Sequence, residues 1–178
     1  MKMNMSTERK YLEIEIPYKL NVLYSFIYWR EISQIFGGGI LMDSLNSQAI
    51  YCSVYESSIL FGRHVLSFWG IGISNGKLAR ANKWKGRDID VTDVLTAHEL
   101  IDLEEELLIK NSGPIKYLLT IANKRVAHAT WNSEELGKTN VDLIINAQEV
   151  IHELVEMYVP ELNKELLLKY NGYASMTT

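Results

Sequence analysis

The spacing of apolar positions divides the chain into helical runs separated by glycine, proline and polar punctuation. Pro17 suits the first turn of a helix, where its missing N–H has no partner to lose, and Leu20, Leu23, Ile27 and Ile35 follow at helical spacing as far as Phe36. Gly37-Gly38-Gly39 ends that run. A second helix is predicted from Asp43 or Ser44 as N-cap to about Phe68, with Leu45, Ala49, Val54, Leu60, Phe61, Val65 and Phe68 apolar. Its small residues, among them Ser47, Ser53, Ser57, Ser58 and Gly62, let neighbouring helices approach, which predicts a central helix with tight crossings near Gly62.

From Gly70 to Asp90, glycines at 70, 72, 76 and 86 and weak periodicity predict a long connecting loop. A third helix is expected from Thr92 or Thr96 through Leu100, Leu103, Leu107 and Leu108, stopped by Asn111-Ser112-Gly113. Pro114 opens a fourth, whose Ile115, Leu118, Leu119, Ala122, Val126 and Ala129 make the clearest amphipathic stripe. After a polar turn from Asn132 to Lys138, Thr139 or Asn140 caps a fifth helix bearing Ile144, Ala147, Ile151, Leu154 and Tyr158, with a kink at Pro160. Two-residue alternation is confined to Tyr11–Ile16, which predicts at most an extended arm. The fold expected is therefore all-α: an antiparallel bundle of about five helices over residues 17–170, an N-terminal arm (1–16), a C-terminal tail (171–178), and a long loop between the second and third helices.

Composition narrows the function classes. With 178 residues, 47% hydrophobic and 22% charged, the chain can bury a core of its own. A lone cysteine, Cys52, excludes an intrachain disulfide framework and fits a reducing compartment. Met1–Lys10 lacks the apolar core of a secretory signal, and Arg30, Arg63 and Lys124 interrupt the longest apolar stretches before the ~20 residues of a membrane span. A cytoplasmic protein without a membrane partner is expected. The net charge of −4 argues against a dedicated nucleic-acid domain, so any RNA site must be local. Charge is nevertheless polarised, with cations at Lys77, Arg80, Lys83, Lys85 and Arg87 and acids at Glu99, Asp102, Glu104, Glu105 and Glu106.

On the fourth helix Tyr117, Ile121, Lys124, Arg125 and His128 recur at spacings of three and four, to one side of the apolar stripe. Two cations and an imidazole on one face suit a polyanion: Lys and Arg hold phosphate oxygens, and histidine exchanges protons near neutrality. Metal-free RNA cleavage uses those groups directly, a base deprotonating the ribose 2′-hydroxyl while cations stabilise the charge that builds on phosphorus. The competing reading is structural, with His128 satisfying the last carbonyls of its helix. Arg63, on the second helix, is a further candidate for the same cleft against a core or interface role, and Lys83, Trp84, Lys85 and Arg87 combine cations with an aromatic as single-strand binders do, against the commoner solvated loop. His98 and His152 lack a neighbouring ligand pattern, so no metal site is expected, and no phosphate-binding loop or nucleophile elbow is present. No cofactor is expected.

The run Ile121-Ala122-Asn123-Lys124-Arg125-Val126-Ala127-His128 resembles the signature of the HEPN superfamily, an arginine followed by a polar residue and, several positions later, a histidine. Asn-Lys followed by Val-Ala-His resembles its abortive-infection branch in particular. The resemblance implies a helical bundle, a homodimer, and metal-independent ribonuclease activity in phage defence or toxin-antitoxin systems, with RNA as substrate and a cognate antitoxin as partner. It assigns His128 as general acid/base, Arg125 and Lys124 as phosphate clamps, and Asn123 as an orienting group; Tyr117, by its place on the same face, and Arg63 are the further candidates beside substrate. The position of that branch's arginine is Ala122 here. Three readings stay open at this level: a ribonuclease with a degenerate motif, a non-catalytic helical dimerisation module that binds RNA, nucleotide or protein, or a purely structural bundle whose dimer interface includes the small-residue helix.

Overall fold

A computed structural model describes residues 6–35, 45–81, 90–95, 98–123 and 140–159. Over these residues the chain is mostly helical, with one small two-stranded sheet.

Helix α1 (Thr7–Lys10), a π-helical turn (Tyr11–Glu15) and α2 (Ile16–Ile35) form one continuous run. The segment Tyr11–Ile16, expected to be extended, is thus helical. An isolated extended segment would leave its backbone groups unpaired, whereas the helical turn satisfies them internally. The wide turn has a local cause in Pro17, which lacks an N–H and whose ring crowds the carbonyl four residues back; the N–H of Ile16 reaches five residues back to the carbonyl of Tyr11 instead. Pro17 accordingly lies within a helical run rather than at the first turn of a chain segment entering from an arm.

α3 (Leu45–Phe68) packs antiparallel on α2, as the pairing of Phe26 with Tyr55, Tyr18 with Phe61 and Tyr11 with Phe68 requires. Gly62 sits at the crossing: a Cβ there would lie 3.1 Å from side-chain carbons of both Leu23 and Leu118.

The stretch expected to be a loop contains an antiparallel hairpin, β1 (Ile71–Ser74) and β2 (Lys77–Arg80), with Ser74 opposite Lys77. Asn75 and Gly76, at φ 52° and 72°, form the two-residue turn whose twist matches paired strands. At its base Gly70 takes φ 80°, and Leu100 occupies the space a Cβ would need.

The third helix expected is broken into α4 (Val91–Val94) and α5 (Glu106–Lys110). Asp90, not Thr92 or Thr96, caps α4, accepting from the Thr92 N–H while Asp93 accepts from the Asp90 N–H. Between them the backbone bonds elsewhere: Ile101 donates its N–H to the Trp69 carbonyl and accepts from the Arg80 guanidinium, and the Asp102 carboxylate accepts from the Glu104 N–H. α6 (Ser112–Ile121) and α7 (Val141–Tyr158) complete the core, α7 capped by Asn140, whose side chain accepts from the Leu143 N–H at 3.2 Å. Leu20, Leu23 and Phe26 of α2, Ile59 and Leu66 of α3, Leu118 of α6 and Ile144 and Leu154 of α7 are buried together. Among the described residues no helix is long and apolar enough to cross a membrane.

Candidate functional site

α6 leads into the sequence motif, and its placement decides how that motif starts. Pro114 sits in its first turn, and Ile115, Leu118, Leu119 and Ala122 are buried against α3 and α7. Burial extends further round the helix than the sequence suggests: Ile121, read as part of the cationic face, is only 6% exposed. The helix is covered on two flanks, which period counting alone does not reveal. Tyr117 is half-buried, and its hydroxyl accepts the Asn140 N–H at 2.7 Å, tying the middle of α6 to the start of α7.

At Ala122 and Asn123 the backbone widens into a π-type turn, with Ala122 wholly buried and Asn123 half-buried. Lys124, Arg125 and His128 lie outside the described residues, as do Lys83, Trp84, Lys85 and Arg87. Arg63 is half-buried on α3, next in sequence to the Gly62 that meets Leu118 of α6. The structure therefore brings α3, α6 and the start of α7 together around Asn123's helix.

The environment of Ala122 has a chemical consequence. A residue with 0% exposure in an apolar stripe has no solvent or counter-charge for a guanidinium, so the cation of any phosphate site here must come from another position. Arg125, Lys124 and Arg63 are the residues of the motif and its surroundings with the right charge.

Other polar groups missed by the sequence reading are internal. Gln148 of α7 donates its amide N–H to Ser58 at 3.0 Å, and Ser58 donates to the Tyr55 carbonyl at 2.7 Å. Tyr158 donates to the Glu105 carboxylate at 3.1 Å, and burial, that hydrogen bond and the charges of Glu105 and Asp102 raise its pKa. Burial likewise raises the Tyr51 pKa, against the opposing pull of Arg30. His152 packs edge-on against Tyr24 and lies 3.4 Å from Glu156, while His98 meets the ring of Trp69. Among the described residues no group of three His, Cys, Asp or Glu side chains is placed to hold a metal ion. The signal that would have found the hairpin was Asn75-Gly76; none marks Gln148 as a core residue.

Comparison with family models, with curated proteins and with solved structures finds no match to this chain.

Proposed function

We propose that this protein is an HEPN-like, RNA-directed cytoplasmic protein of bacterial defence or toxin-antitoxin type, built as an antiparallel bundle of about five helices and working as a homodimer controlled by a cognate antitoxin. In this reading it is a metal-independent endoribonuclease. The observation that carries it is the sequence Asn123-Lys124-Arg125 with His128, which in the chain follows directly on α6, whose Ile115, Leu118 and Leu119 are buried. His128 takes the proton of the ribose 2′-hydroxyl, whose oxygen attacks the adjacent phosphorus. The bond to the 5′-oxygen breaks, that oxygen takes up a proton, and a 2′,3′-cyclic phosphate remains. Arg125 and Lys124 hold the phosphate oxygens as charge builds, Asn123 orients the group, and Arg63 and Tyr117 flank the strand.

A specific observation favours the second reading, a non-catalytic module that binds RNA, nucleotide or protein: the arginine of the related motif would fall at Ala122, which is fully buried. Incubation of labelled RNA with the chain in EDTA, beside His128→Ala and Arg125→Ala, separates the two. Cleavage lost in both variants, with RNA binding retained in His128→Ala, supports the nuclease. RNA binding without cleavage by the unaltered chain supports the module, and cleavage undiminished in His128→Ala overturns the assignment of the base.

A further inference from the structure

The outer edge of the α2–α3 pair carries more aromatic surface than the core uses. Tyr18 is 56% exposed. Half-buried Phe61 meets it edge-on with ring centroids 5.6 Å apart, and the exposed ring of His64 meets Phe61 at 5.7 Å. One heptad along both helices the pairing recurs as Tyr11 stacked on Phe68 at 5.7 Å. There the Lys19 ammonium lies 5.7 Å from the Tyr11 centroid and 5.6 Å from that of Phe68. Seven residues of helix separate the two ring pairs by roughly 10 Å along the edge. The second pair belongs to the core, Phe68 being 6% exposed and Tyr11 half-buried, so the accessible rings are those of Tyr18, Phe61 and His64, with Lys19 beside Tyr18 in the chain.

Charge distinguishes what this edge accepts. From Ser57 to Arg87 the chain has six Lys and Arg residues and no Asp or Glu, although the whole protein has net charge −4. Lys77 of that stretch is exposed on the hairpin, which continues directly from the end of α3. On the α2 side Glu13 pairs with Arg9 at 2.7 Å and Glu15 with Lys10 at 3.5 Å, and Glu15 also acts on Lys19. Partial burial lowers the Lys19 pKa, against the pull of Glu15. Tyr18 beside Lys19, facing Phe61 and His64 of the acid-free stretch, matches bases and phosphates of an unpaired strand better than the apolar face of a protein helix.

We propose that this edge is a stacking platform for single-stranded RNA, with bases on Tyr18, Phe61 and His64 and phosphates held by Lys19 and Lys77. It takes RNA from the proposed nuclease function but rests on other residues and other helices, so the two can fail separately.

The test is fluorescence anisotropy with the full chain carrying His128→Ala to suppress cleavage, a labelled 12-nucleotide oligouridylate, and an RNA duplex of equal length as competitor. Tyr18→Ala weakens single-strand binding about tenfold, the scale of one lost base–aromatic stack, while Tyr18→Phe keeps it. Lys77→Ala lowers the slope of log affinity against log salt by about 0.7, as expected for one phosphate contact on a single strand. Tyr18→Ala also loses the edge contact with Phe61, so binding is compared well below the melt of each variant, and Tyr18→Phe, which keeps that contact, serves as the control. No binding of the oligouridylate, binding indifferent to Tyr18→Ala, or competition by duplex or polyglutamate as effective as by single strand overturns the platform. Cleavage that depends on His128 in a chain whose binding ignores Tyr18 removes the platform alone; Tyr18-dependent binding in a chain that never cleaves keeps it and removes the nuclease.

Discussion

Gln148 is buried, its N–H bonded to Ser58 of α3 and its amide oxygen without a hydrogen-bond partner among the described residues. Ser58→Ala strands a buried amide donor, and a loss of about 1–3 kcal/mol in urea unfolding is the expected outcome. Adding Gln148→Met removes the stranded groups together and recovers most of that loss; a neutral Ser58→Ala would contradict the description. Tyr158 makes a second prediction, with its sign fixed by the direction of its shift. Its folded pKa is raised above the ordinary 10.0, so on alkalinisation the unfolded chain releases the proton first and folding is weakened. Stability from the Tyr158–Glu105 bond is therefore full below about pH 10 and is lost as pH rises through the folded pKa. Tyr158→Phe should be less stable by about 1 kcal/mol at neutral pH, a gap that narrows above pH 10 in denaturation curves; a gap that widens there contradicts the assignment. Tyr158 was legible as a packing position of its helix, but neither its bond to Glu105 nor the burial of Gln148 was. A polar Gln148 between Ala147 and Val150 reads as a solvent position, and the Tyr158–Glu105 pair spans 53 residues of chain.

Elements were legible where local chemistry and packing agree. The extent of α3, the cap at Asn140 and the crossing at Gly62 follow from small residues, an N-cap side chain and apolar spacing, and the structure places each accordingly. Gly62→Val tests the crossing: added methyl groups must displace Leu23 and Leu118, and a cost of about 1–3 kcal/mol is expected in thermal or urea unfolding. An unchanged melting temperature would mean the helices are further apart than described. The broken third helix was illegible for a tertiary reason. Leu100, Leu103, Leu107 and Leu108 keep helical spacing, but Trp69 and Arg80 capture the backbone of Ile101, and a pattern of side chains does not reveal where the backbone finds its partners. The hairpin was missed for the opposite reason: its strands are four residues each, too short to show a period, and only the Asn75-Gly76 turn announces them.

At the scale of the molecule, predominant helicity was readable from the sequence, because apolar residues at three and four build the same face whichever neighbours cover it. The candidate site was readable only up to its entrance. The stripe from Ile115 to Ala122 is buried as spacing predicts, whereas the burial of Ile121, at 6% exposure, is not what the spacing indicates. Lys124, Arg125 and His128 lie outside the described residues, so the catalytic proposal rests on the chemistry of those three side chains. That chemistry leaves a mark on its products. The most direct measurement is the end-group analysis of RNA fragments made by the full chain in EDTA. In-line attack by a 2′-hydroxyl, activated by His128 and charge-stabilised by Arg125, yields 2′,3′-cyclic phosphate and 5′-hydroxyl ends, and none with His128→Ala. Intact RNA with the unaltered chain, or fragments bearing 5′-phosphate ends, would contradict it.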